Sequence, residues 1–314
     1  MDFLANYFSS LNPMSFLSAL PGNIAQGIIW GLMGLGVFLT FKLLNFADLS
    51  VDGSFATGGA VTAVMLIKGC PVWATIIVAI LAGLAAGLVT GLLHTLLGIP
   101  DILAGILTQI ALYSINLNIM GKSNLPISYR NYTLVVSASN INMAILVGLG
   151  ICAVVVAAMY WYFGTEQGST IRSTGSNPAM SKAQGININF TKVIALALSN
   201  GLVALSGSLF AQYQGFADIN MGRGAIVIGL AAVIIGEVLG EAIFRKHMNF
   251  IIRMLFVIVG GILYYIAMGI VLWLKMPTDD TKLFTAIIVA IFLAVPYLQK
   301  KRKTCLLYTS DAAD

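Results

Sequence analysis

The chain has 314 residues, of which 59% are hydrophobic and only 9% are charged, and its mean hydropathy is +0.93. Soluble domains carry charge on about a quarter of their residues. This composition therefore excludes a water-soluble fold and predicts an all-α integral membrane protein in a lipid bilayer. The net charge of +5 does not indicate a nucleic-acid partner, because the basic residues are scattered between apolar blocks.

Apolar blocks divide the chain into about nine transmembrane segments, within a range of roughly eight to ten, since a bilayer core of about 30 Å needs roughly 20 apolar residues per helix. The second and seventh segments are too short to cross easily, which predicts that they are short or re-entrant segments. The segments are Ile24–Leu44, Phe55–Ile67, Val72–Leu97, Ile102–Met120, Ile141–Phe163, Val193–Tyr213, Ala225–Leu239, Ile251–Leu274 and Leu283–Leu298. Before them, Met1–Pro21 is predicted to lie at the membrane interface as an amphipathic helix.

The end of the chain differs in character from the rest. Residues 305–314 break a basic tail abruptly and resemble the translation of a transposon-end adapter used in preparing sequencing libraries. We interpret them as non-native and predict a single transmembrane domain over residues 1–304.

The longest polar stretch between apolar blocks covers residues 164–190. The distribution of lysine and arginine places it on the cytoplasmic side. Its residues predict one helix that ends near Thr174 and a second that Asn177 caps, that begins with Pro178 and that Gly185 ends. A short amphipathic helix on the cytoplasmic face is a suitable contact for an ATPase subunit.

Residues 168–186, G-S-T-I-R-S-T-G-S-N-P-A-M-S-K-A-Q-G-I, resemble the coupling loop of ATP-binding-cassette (ABC) importer permeases for branched-chain amino acids, ribose and nucleosides. Residues 198–208 and 222–236 match small-residue segments that follow in that family. The early run, residues 39–60, is most similar to permeases of the tryptophan-uptake type. Asp48 stands where the family commonly has a small residue or His-Gly, which leaves the solute open.

The resemblance implies a non-catalytic permease subunit in the bacterial cytoplasmic membrane. Its solute would be an amino acid, including an aromatic one; a sugar or nucleoside, or a secondary active transporter, are the alternatives. The implied partners are a second permease copy, two ATP-binding-cassette subunits that hold ATP and Mg, and an extracellular solute-binding lipoprotein. The implied ATPase-coupling residues are Gly168, Ile171, Arg172, Gly175, Asn177, Pro178, Ala179 and Gly185.

This chain has no P-loop of its own. Its G-K-S run, Gly121–Ser123, has Asn116 where the first P-loop glycine belongs. We therefore expect no cofactor in the chain itself. The sequence also suggests no metal site, because its cysteines are far apart and have no histidine cluster beside them.

Polar residues inside apolar segments indicate a path for the solute, since they are costly in lipid unless they face water or a partner. Asp48 and Asp52 allow two interpretations, a functional intramembrane acid or a helix cap at the cytoplasmic surface. We expect the pore near Asn45, Phe46, Gly58 and Asn200 to have no buried salt bridge to the solute, and Asp48 to lie at the inner mouth. The path candidates are Asn45, Phe46, Asp48, Gly58, Gln109, Asn116 and Asn200.

Overall fold

The computed structural model describes residues 13–128, 132, 134–244 and 248–274, with separate positions between 283 and 294. This part is almost entirely helical, as a lipid environment requires, because helices satisfy their backbone hydrogen bonds internally. The helices are α1 Pro13–Val37, α2 Val51–Ile67, α3 Val72–Leu96, α4 Asp101–Met120, α5 Ile141–Phe163, α6 Glu166–Ser176, α7 Pro178–Ala183, α8 Ile188–Gln214, α9 Ala225–Phe244 and α10 Phe250–Trp273.

Seven helices in the described ranges are long and apolar enough to cross a membrane: α1 with its extension to Leu43, α3, α4, α5, α8, α9 and α10. The prediction of a short second segment is confirmed, since α2 has 17 residues. The prediction of a short seventh segment is wrong, since α9 has 20 residues. The apolar run was ended at Leu239, before Gly240 and Glu241, but the helix continues to Phe244, and Gly240 packs against Met248 and Phe256.

The count of nine segments is not confirmed. Most of the ninth, Leu283–Leu298, lies outside the described residues, as do residues 1–12 and 305–314.

The predicted interfacial helix Met1–Pro21 is corrected in part, because its last residues are the first turns of α1, which passes through Pro21 without interruption. Neighbouring groups in a membrane bundle can satisfy the backbone that a proline frees.

α8 is the centre of the bundle and packs against α1, α2 and α3. Its close approach to α3 depends on a row of glycines on α3, spaced four residues apart. Gly83 faces the backbone of Asn200, Gly87 that of Leu196, and Gly91 lies against Val193. Likewise, Gly27 and Gly31 of α1 face the backbone of α10. Small residues hold membrane helices together by letting their backbones meet.

Two irregular features complete the fold. α1 continues as a π-helix over Phe38–Leu43, after which Asn45 has a φ of 55°. At the opposite end of the bundle, two three-residue strands, β1 Asn124–Pro126 and β2 Phe216–Asp218, pair in antiparallel fashion. The chain between α1 and α2 is thus free of regular helix, and it brings several polar residues into the bundle.

Candidate functional site

The two short helices α6 and α7 form the segment predicted to contact an ATPase. The Asn177 side chain accepts a hydrogen bond from the Met180 amide at 3.0 Å, and Pro178 takes the first position of α7. Gly185 follows with a φ of 83°, a conformation that favours glycine. The predicted cap, start and end of α7 are confirmed, and α6 ends at Ser176, two residues later than expected.

α6 is fixed to the rest of the chain by its buried side. The Arg172 guanidinium donates to the Phe163 carbonyl at 2.9 Å and lies 5.8 Å from the centre of the Phe250 ring. Gly168 lies against the Phe163 backbone and Gly175 against that of Leu43, so a side chain at either glycine would collide with main chain. Ile171 is buried beside them.

α7 instead presents an open surface. Pro178 and Ala179 are exposed, and the Met180 side chain is 58% exposed. An exposed methionine on a polar segment is a suitable anchor in a protein interface, because its side chain is flexible and polarizable. The predicted coupling residues therefore divide into those that shape the segment and those that face outward.

A buried polar network joins the α1–α2 connection to the middle of α8. Asp48, only 2% exposed, accepts hydrogen bonds from the amide and hydroxyl of Ser50 and from the Asn200 side chain, the last at 2.8 Å. The Ser54 hydroxyl donates to Asn200 at 2.6 Å. Asp48 therefore does not line an open inner mouth in this protomer.

The remaining path candidates have different surroundings. Phe46 is buried with its ring edge-on to His94, whose other contacts are the Ile99 carbonyl and Lys192. Asn45 is exposed. Gly58 lies against the backbone of Ala204, so its environment is that of a packing contact between α2 and α8.

Gln109 and Asn116 line a second feature, a cavity of about 310 Å³ between α2, α4 and the segment before α9, here named the α2–α4 cavity. Two charged residues that the sequence reasoning did not place on the path, Asp52 and Arg223, also line it. The Asp52 carboxylate accepts hydrogen bonds from the amides of Gly224 and Ile226, at 3.0 and 2.9 Å. Asp52 thus caps the start of α9, not of its own helix.

No group of three or more His, Cys, Asp or Glu side chains suited to a metal ion occurs among the residues described. The charged side chains that line the α2–α4 cavity are those of Asp52 and Arg223.

Comparison with known proteins identifies the family. Residues 22–296 match the family described as the permease component of branched-chain amino acid transport systems. The chain belongs to this permease family. With several apolar helices, the permease is a multi-pass protein of the bacterial cytoplasmic membrane.

Individual relatives agree with this assignment. The permease is 42% identical over 279 residues to a tyrosine transport system permease protein of Clostridioides difficile, which covers 88% of this chain and 91% of that protein. It is 26% identical to a D-allose transport system permease protein of Escherichia coli, over 82% and 77% of the two chains. Among solved structures, a chain of PsaBC from Streptococcus pneumoniae in complex with Fab shares the fold, with a TM-score of 0.52 and 16% identity over 93% and 94% of the chains.

Arg223 of the permease was not predicted as a site residue, and Asp52 was considered as a functional acid or a helix cap but was not placed on the path. The two residues are 171 positions apart and belong to different motifs. Arg223 stands between Gly222 and Gly224, and this run was used only as part of the family resemblance. One signal was available, since Asp52 lies beside the apolar run of α2 and such acids are often functional.

Proposed function

We propose that this permease is the non-catalytic membrane subunit of an ABC importer that moves an aromatic amino acid into the cell. A separate extracellular binding protein delivers the solute, and two ATPase subunits bind ATP and drive transport. The observation that best supports an ATP-driven mechanism is the α6–α7 segment. In this segment α7 is exposed, while Arg172 of α6 contacts Phe163 of α5 and Phe250 of α10.

The geometry of α6 and α7 suits force transmission. Gly175 lies against the last turn of the π-helix at Leu43, and a few residues later the chain enters the network of Asp48 and Asn200. A displacement of α7 by a bound ATPase would therefore reach the α1–α2 connection through packed groups. Two copies of the permease would present two such segments, one for each ATPase.

The amino-acid assignment is supported by the relative named for tyrosine transport, whose similarity extends over most of both chains. The sugar alternative is supported by the allose relative and by a ribose import permease of Haemophilus influenzae at 28% identity, both more distant. The two assignments predict different competitors of solute uptake, an aromatic amino acid in one case and a sugar in the other.

Competition for uptake tests the solute. In vesicles containing the permease, its ATPase and its binding protein, we expect unlabelled tyrosine or tryptophan to suppress uptake of labelled tyrosine, whereas leucine, a nucleoside and ribose should have little effect. Vesicles without ATP provide the control. Preferred uptake of ribose or a nucleoside would overturn the amino-acid assignment and leave the family unchanged.

A further inference from the structure

We propose that the α2–α4 cavity binds the zwitterionic head of an amino acid as it crosses the permease, an inference that rests on the proposed amino-acid transport. The cavity holds about 310 Å³, at the small end of the roughly 300–1,000 Å³ typical of small-molecule sites. Its polar wall consists of Asp52, Gln109, Tyr113, Ser114, Asn116 and Arg223.

The cavity contains one cation and one anion that do not pair with each other. Arg223 forms no ion pair or hydrogen bond through its side chain within the described ranges of the chain. Asp52 is held by two backbone amides, but a carboxylate has about four lone-pair positions and therefore keeps acceptor capacity. A zwitterion would supply a carboxylate to Arg223 and an ammonium group to Asp52.

Asn116 provides an independent observation. Its side chain is 1% exposed and lines the cavity, and neither its amide nitrogen nor its amide oxygen has a hydrogen-bond partner. Buried amides in proteins are nearly always paired. An amide with both a donor and an acceptor free matches a ligand that has both a carboxylate and an ammonium group.

The position of the cavity is suitable for a solute-binding site along the transport path. Asp52 lies in the first turn of α2 and caps α9, while Gln109 lies near the middle of α4 and Asn116 in its second half. Tyr113 and Ser114, on the same wall, are exposed, so the cavity is accessible from outside the protomer. Charged groups within a membrane domain are usually tied to a substrate or ion path.

The test is equilibrium binding of labelled L-tyrosine to the intact permease in lipid nanodiscs, without ATPase or binding protein. Two analogues compete: tyramine, which lacks the carboxylate, and 3-(4-hydroxyphenyl)propanoate, which lacks the ammonium group. We expect L-tyrosine to compete at least about tenfold better than either, because each analogue leaves one charged group unpaired. This comparison needs no variant and is independent of folding defects.

Variants then locate the site. Arg223→Gln should weaken tyrosine binding about tenfold, and Arg223→Lys should restore part of the affinity. Lys122→Gln, which removes the same charge from an exposed position outside the cavity wall, should leave it unchanged. Equal competition by all three compounds, unchanged binding by Arg223→Gln, or no saturable binding would each overturn the inference. If amino-acid uptake persists in that case, the proposed function stands and the cavity is filled in another way, for example by the second permease copy.

Discussion

Asp48 receives donors on both of its carboxylate oxygens. The amide and hydroxyl of Ser50 reach one oxygen, and the side-chain amide of Asn200 reaches the other. The Asn200 amide is itself oriented, since it also donates to the Leu196 carbonyl at 3.0 Å. An acceptor-only side chain is therefore required at position 48, which explains the aspartate there.

Replacing this aspartate tests the requirement. In Asp48→Asn, the new NH₂ group must face either Ser50 or Asn200, both of which donate, and turning the Asn200 amide would break its bond to Leu196. We expect the variant to lose roughly 1–3 kcal/mol of stability, because a buried donor is left unpaired. Thermal unfolding in detergent measures the loss. Asp101→Asn, at a position with no side-chain hydrogen bond among the described residues, serves as the control, and equal stability of the two variants would contradict the role of Asp48.

Among the helices, α3 packs against α8 through a row of glycines on α3. Gly87 lies against the backbone of Leu196, so an added methyl group would meet main-chain atoms that cannot rotate away. The four-residue spacing of the glycines places them on one face of a helix, so the sequence indicates that this face packs closely against a neighbour. The sequence did not identify the partner helix, because many segments have small residues.

A pair of glycine variants tests this contact. Gly87→Ala should destabilise the permease by roughly 1–3 kcal/mol through overpacking. Gly150→Ala, on α5, meets nothing within 4 Å and should be neutral or stabilising by up to about 1 kcal/mol. Unfolding temperatures of the two variants compare them directly, and a tolerated alanine at position 87 would show that the helices can separate at little cost.

Elements that depend on neighbouring residues could be predicted from the sequence, and elements that depend on distant contacts could not. α7 was predicted because its cap, Asn177, and its first residue, Pro178, act on neighbouring residues. The end of α9 was misplaced by five residues, from Leu239 to Phe244, because Gly240 packs against Met248 and Phe256 and the sequence does not show that contact. The strands β1 and β2 have three residues each, too few to show an alternating pattern. The α2–α4 cavity likewise depends on groups that only the folded chain brings together.

In the whole molecule, the proposed ATPase contact and the proposed solute path lie at two ends of one connected structure. α6 and α7 lie against the end of the π-helix through Gly175. From there the α1–α2 connection leads through Asp48 to α2, whose Asp52 holds the start of α9. The central claim is that movement of α6 and α7 by an ATPase is converted into transport along this route.

The ratio of solute transported to ATP hydrolysed tests this claim most directly. In vesicles with the permease, its ATPase and its binding protein, we expect uptake to require ATP. Arg172→Glu removes the bond to Phe163 and the contact with Phe250, so it should reduce uptake about tenfold while hydrolysis continues. Lys122→Glu, the same charge reversal at an exposed position two residues beyond the end of α4, should leave the ratio unchanged. Uptake that proceeds without ATP, or an unchanged ratio in Arg172→Glu, would contradict the account.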